Sequence, residues 1–278
     1  MYKSRLKQPL LWVLALVLFV PHLALAQAQT QCTDTLRLTV STVKRSEDYL
    51  SVIKPFLATM AESLGKKPQL FFTDGWSASV HGFSQNSADL VLVPQSMLNV
   101  VHAKPELRPV IRTPGARVLL ITEKSSTIRS MEQLRDKKVG TVRDSTEAMI
   151  AQQRLSQAGL LEAVELSSVV SPSDVYMGLF QDRFDAAFVI GESMDWLQPT
   201  FREKLVQVAE MGRTNGLFLY AGSCVSDAQL KTLEQALLSN PVDERVTRFI
   251  EHFNFGRFVA ISPGDVEKAL KQDFSSDQ

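Results

Sequence analysis

This sequence holds only two cysteines, Cys32 and Cys224, and only four histidines in 278 residues. One histidine, His22, lies beside the first apolar segment, which leaves His81, His102 and His252 for the rest of the chain. With so few Cys and His, a zinc site is not expected, and no metal or cofactor enters the reading. Excess charge is missing as well: 30 basic residues stand against 30 acidic ones. A nucleic-acid partner leaves a basic footprint, and an even balance supplies none. The unbroken apolar run Leu10–Val20 is short for a membrane span, and Pro21 and His22 end it at once. Gln29-Thr30-Gln31 before Cys32 gives no lipidation signal, so a lipoprotein is not expected.

What the N-terminus does have is the order of an export signal. Lys3, Arg5 and Lys7 precede the apolar run, and Ala24-Leu25-Ala26 offers small residues for cleavage after Ala26. Export would take away three basic residues and no acidic one, for a formal balance of −3. The remaining length suits one large core or two smaller ones. Export lets a disulfide persist, yet an even cysteine count permits a bridge without requiring it.

The rest of the chain alternates strands and helices. Leu36–Val40 alternates and begins a strand, and a helix runs from about Leu50 to Leu64 with Gly65 closing it. Gln69–Thr73, Ala88–Val93, Leu107–Ile111 and Ala116–Thr122 read as strands. Lys138–Val142, Val164–Val170, Phe184–Ile190 and Val206–Ala209 repeat the pattern, and Gly216–Tyr220 leads out of it. Three helices end the chain, at Ser226–Leu238, Asp243–Phe253 and Pro263–Lys271. This alternation is the mark of open α/β sheets, which bind ligands at the carboxyl ends of their strands. Ser41, Thr42, Trp76, Gln95 and Ser96 fall at such ends, where an ordinary loop is the competing reading. Two segments, Asn86–Val93 and Asp182–Val189, share a plan of polar turn, Asp and buried strand. Two similar units of this kind suggest two lobes.

The stretch Lys138–Leu155 organises the middle of the chain: a short strand, a polar turn and an amphipathic helix. A strand that runs straight into a helix leaves the first N–H groups of that helix facing outward, where an anion is favoured. Ser145 and Thr146 add hydroxyls there, and Arg143 can pair with an anion. The alternative is a capping box from Asp144 to Glu147, which needs no ligand. Ser171–Asp174 is a second hydroxyl-rich turn before a helix.

Three groups of residues resemble a known family. They are Gln69–Thr73 with Trp76 and Ser87–Pro94; Ile128–Gly140 with Asp144-Ser-Thr146; and Ser171–Asp174 with Asp185–Val189. In this order they are similar to the periplasmic phosphonate/phosphite-type substrate-binding proteins of ABC importers, which have transferrin-like architecture. The resemblance implies a type II periplasmic-binding-protein fold, α/β and two-lobed, with two crossover strands and an interlobe cleft. It places lobe one at 33–121 plus 218–278 and lobe two at 122–217, with crossovers near Val118–Glu123 and Leu217–Ala221. It further implies a small ligand, anionic or polar, held by lobe closure, with Ser145 and Thr146 on its oxyanion. The chain departs from the family pattern in having Glu147 and Ala148 after Thr146, Ser173 where relatives show His, and Asn215 at an acidic position.

The expected function is therefore solute capture by a monomer that delivers to an ABC permease. A periplasmic sensor feeding a membrane signalling protein is the alternative. An exported hydrolase is a third reading, but Gly191-Glu-Ser193 lacks the nucleophile-elbow pattern and His81 lies on a helix beside Val80 and Phe83.

Overall fold

A computed structural model describes residues 32–41, 47–85, 88–239 and 241–271. The export signal expected over residues 1–26 lies outside these, as does Thr42. In chain order the first elements are β1 (Thr35–Ser41), α1 (Glu47–Ser63), β2 (Lys67–Thr73), α2 (Trp76–Ser84), β3 (Leu90–Pro94), α3 (Leu98–His102) and β4 (Arg108–Arg112). The middle comprises β5 (Arg117–Glu123), β6 (Lys138–Val142), α4 (Thr146–Gln157), β7 (Glu165–Val169), α5 (Pro172–Phe180), β8 (Ala186–Ile190), α6 (Pro199–Arg202) and β9 (Leu205–Arg213). The last are β10 (Leu217–Ala221), α7 (Asp227–Leu238), α8 (Glu244–His252), β11 (Val259–Ala260) and α9 (Pro263–Leu270). Among the described residues no helix is long and apolar enough to cross a membrane.

The strands form two sheets, ordered β11-β4-β10-β3-β1-β2 and β7-β6-β8-β5-β9. In the first, β1 lies parallel to β2 and β3, and β10 runs antiparallel to β3 and β4. In the second, β6 lies parallel to β7 and β8, and β5 runs antiparallel to β8 and β9. The second sheet therefore holds one reversed strand, β5, and the first holds two, β10 and the short edge strand β11, which runs antiparallel to β4; β5 and β10 are the strands that follow the changes of sheet. Both faces of each sheet are buried, which is why β3 and β8 read as continuous apolar runs rather than alternating ones. On the first sheet Phe56 of α1 stacks on Phe249 of α8, with ring centroids 4.0 Å apart.

The paired segments noticed in the sequence occupy equivalent places. Asp89 precedes β3, and its carboxylate accepts from the Arg37 backbone N–H at 2.8 Å. Asp185 precedes β8 and accepts from the Lys138 backbone N–H at 2.8 Å. In each lobe an aspartate thus ties the third parallel strand to the start of its neighbour, satisfying a backbone donor at the sheet's end. Gly140 has a packing role: a Cβ there would stand 2.4 Å from the Phe184 ring, which also presses on Gly178.

The passages between sheets lie at 113–116 and 214–216, outside the strands. The resemblance put the crossovers near Val118–Glu123 and Leu217–Ala221, a few residues further on, where β5 and β10 pair along their lengths inside one sheet. The two passages run side by side. Thr113 N donates to Leu217 O at 2.9 Å and Thr214 N donates to Ala116 O at 2.8 Å. The Thr214 hydroxyl accepts from Ala116 N, and the Thr113 hydroxyl accepts from Leu217 N. Side chains have no room here. A Cβ on Gly115 would lie 2.0 Å from Thr214 O, and one on Gly216, whose φ is +90°, would lie 2.1 Å from Thr113 O. We expect Gly216→Ala to lower the unfolding free energy by about 1–3 kcal/mol, from backbone strain and the forced separation of the strands. Urea denaturation would measure it; an unchanged midpoint would show that the passages separate freely.

Candidate functional site

The carboxyl ends of both sheets face one another across a cleft of about 440 Å³. The first sheet contributes Ser41 at the end of β1, Trp76 at the start of α2 and Pro94 at the end of β3. The second contributes Val142 after β6, Thr146 and Glu147 at the start of α4, Ser173 in the first turn of α5, and Glu192 after β8. The passages form the floor through Thr113, Gly115, Thr214 and Gly216. This is the location that open α/β sheets offer to a ligand.

Side chains from the two lobes already touch on two sides of the cleft. On one, the hydroxyls of Ser77 and Ser96 donate to Asp144, to its Oδ2 at 2.6 Å and its backbone O at 2.7 Å. Asp144 takes a φ of +58°, a conformation that a short polar side chain tolerates. On the other, Asn254 Nδ2 donates to Asp195 Oδ2 at 2.9 Å, and Trp196 meets Phe253 edge to face at 5.9 Å. Each bridge is small, and each is exchangeable with water, as a hinge that opens requires.

Of the residues expected in the site, Ser41, Trp76, Thr146 and Ser173 line the cleft. The others have different work. Ser145 is buried as the N-cap of α4: its hydroxyl accepts from Ala148 N at 3.1 Å and donates to Val142 O at 2.7 Å. The cap is therefore Ser145, one residue later than the Asp144 of the expected capping box. Ser96 spends its hydroxyl on Asp144 and its N–H on the Thr146 hydroxyl, 3.4 Å away. Gln95 is buried and links the return passage to α9, accepting from Asn215 N at 2.9 Å and donating to Ala269 O at 3.0 Å. Asn215 belongs to that passage, and its Nδ2 is buried without a partner among the described residues. Arg143 is exposed outside the cleft, and its backbone N–H extends the β6–β7 ladder by donating to Val169 O.

The expected oxyanion position is filled by the chain itself. Glu147 is buried at the start of α4. Burial pushes its carboxyl up to about 7, against the lowering influence of its own backbone amide and of Ser145. Among the described residues no basic side chain pairs with it. The other cleft carboxylate, Glu192, sits 3.7 Å from Arg117 Nε, while its Oε2 is buried without a partner among the described residues.

The opposite wall is aromatic. Tyr49, Trp76 and Phe253 come from the first lobe and Trp196 from the second. Tyr49 and Phe253 stand edge to face, 5.5 Å between centroids, and Trp196 is 48% exposed. Sequence reasoning singled out Trp76 but not the others. Tyr49 lies in the first turn of α1 and Phe253 directly after α8, each among apolar residues that read as core. An exposed Trp196 just before Pro199 was the one available signal.

Residues 38–266 match the family of ABC transporter, phosphonate, periplasmic substrate-binding proteins. No curated protein matches the chain in sequence. Among solved structures it is similar to PhnD1 from Prochlorococcus marinus in complex with methylphosphonate. The TM-score is 0.75 at 14% identity, over 86% of this chain and 97% of that one. It is also similar to a binding-protein component of the ABC phosphonate transporter of Pseudomonas aeruginosa. There the TM-score is 0.73 at 17% identity, over 86% of this chain and 85% of that one. A Xanthomonas citri protein bound to chloride follows, at TM-score 0.68 and 15% identity, over 86% and 96% of the two chains. At these identities the likeness is one of fold, but the family match spans most of the sequence: the chain belongs to the phosphonate periplasmic substrate-binding proteins of ABC transporters.

Proposed function

We propose that this chain is exported, loses residues 1–26, and works as a monomer that closes its lobes on one small solute and hands it unaltered to an ABC permease. The observation that carries this reading is the cleft itself. It has the volume of a small-molecule site, lies at the carboxyl ends of two sheets and rests on two glycine-tight passages able to act as a hinge. Catalysis is not part of the reading. His81 is exposed on α2, where its Nε2 bonds Gln85, and His252, the histidine at the cleft, packs edge to face on Phe253. Ser41, Thr146, Ser173 and Trp76 are the expected contacts that we retain, with Glu147 added.

Freshly purified mature protein in native mass spectrometry tests this. The expected result is a monomer carrying one small adduct that is released on unfolding. Titration of that compound should change tryptophan emission, because Trp76 and Trp196 both line the cleft on opposite lobes and Trp12 lies in the segment removed. A protein that carries nothing, and whose emission and melting temperature respond to no solute in a broad metabolite panel, would overturn the reading.

A further inference from the structure

We propose that the solute is an organic cation: an ammonium group with apolar substituents, seated between the aromatic wall and Glu147. This rests on the reading of the cleft as the solute site and goes further by naming the charge of what enters.

The first observation is the start of α4. An incoming oxyanion needs free N–H groups at that helix end. Here Ser145 takes the Ala148 N–H, and the Glu147 side chain is buried over the same helix start, at the cleft. An oxyanion seated there would meet that carboxyl and, wherever it is ionised, a like charge in a buried setting, where repulsion is poorly screened. The second observation is the wall formed by Tyr49, Trp76, Phe253 and Trp196. Aromatic faces carry negative charge density and attract cations, most strongly when water is excluded. Trp196 closes that wall from the second lobe, so the rings surround a solute only when the lobes meet. The third is the charge of the lining. Its two carboxylates are Glu147 and Glu192, and among the described residues no Lys or Arg lines the cleft. Arg117 partly balances Glu192, which leaves Glu147 as the charge to be neutralised.

An inorganic cation satisfies only part of this. It would have to shed tightly held water against hydrocarbon and would gain nothing from the rings' area. Alkylammonium groups are weakly hydrated, and their methyl groups bury apolar surface while the charge faces the π systems.

The test is calorimetric titration of dialysed mature protein with four probes: choline, tetramethylammonium, 3,3-dimethylbutan-1-ol and methylphosphonate. The alcohol has the shape of choline without its charge. Choline and tetramethylammonium should bind, the alcohol at least tenfold more weakly than choline, and methylphosphonate not at all. Glu147→Gln should weaken choline at least tenfold. Trp196→Ala, at an exposed position that folding does not depend on, should weaken it several-fold. Binding of the alcohol as tight as that of choline, binding of methylphosphonate as tight or tighter, or no binding by either cation overturns the inference. The solute retained in native mass spectrometry separates the two levels. An anionic or neutral adduct ends this inference and leaves solute capture standing, whereas no adduct together with no response to any probe ends both.

Discussion

Reduction of the Cys32–Cys224 bridge is expected to lower the unfolding free energy by about 2–5 kcal/mol, close to the largest effect a single disulfide produces. The two cysteines are bonded across a sequence separation of 192. Cross-linking residues that far apart removes more chain entropy from the unfolded state than a short loop does. The bridge ties the chain just before β1 to the segment between β10 and α7, so it fastens the outgoing and returning parts of the first lobe. It spans the whole second lobe without touching it. The prediction is therefore specific: the reduced protein should melt earlier, yet bind its solute with unchanged affinity below the melt, because neither cysteine lines the cleft. Guanidinium denaturation with and without reductant measures the first part, and titration of the reduced protein measures the second. Equal midpoints, or a loss of affinity at intact fold, would contradict it. Such a bridge also needs an oxidising compartment to persist, in line with the proposed export.

The sequence carried the fold more fully than the site. Buried parallel strands such as β3 and β8 declare themselves as apolar runs, and the helix starts at Ser226 and Ser262 are written locally as capping boxes. The lobe symmetry was legible in the repeated Asp, though not its cause, because the partner amides of Arg37 and Lys138 lie about 50 residues upstream. The passages are short polar turns built on Thr, Pro, Asn and Gly, which carry no periodicity of their own; they lie a few residues before the positions that the resemblance implied, where β5 and β10 are the strongest hydrophobic runs nearby. The four-residue α6 and the two-residue β11 are too short for any periodicity to show. At the site, local chemistry was readable and tertiary assembly was not. The hydroxyl at Ser145 could be foreseen at a helix start; that it would be consumed by capping depended on one residue of register. The aromatic wall combines α1, α2, the segment after α8 and the turn after β8, and no spacing in the sequence brings those together.

Glu147→Gln is expected to stabilise the protein by about 3 kcal/mol above pH 7 and by nothing below pH 4. Burial pushes the Glu147 carboxyl up to about 7 in the folded chain, from 4.5 when exposed. Between those values the unfolded chain is ionised at this position and the folded chain is protonated. Folding then takes up a proton, so the stability contributed by this group falls as pH rises through the window, by about 1.4 kcal/mol per unit. The sign is opposite to that of Asp243 and Asp265, whose carboxyls are held below their usual range by bonds from Arg245 and Ser262 and by Arg112. Their contribution is lost on acidification below the Glu147 window, so the difference between wild type and variant isolates Glu147. Its neighbours Ser145 and Tyr176 carry no charge there, Tyr176 being held well above its ordinary range by burial. Urea titrations from pH 4 to pH 8 should give a wild-type curve that sinks toward the neutral side and a variant curve that does not; parallel curves would place Glu147 in water. The same group makes solute binding report its own charge. Near neutral pH part of the folded, solute-free protein holds a proton on Glu147, and a cation that favours the carboxylate releases it. Choline binding measured in buffers of different ionisation enthalpy should therefore show net proton release near neutral pH, and none in the Gln variant.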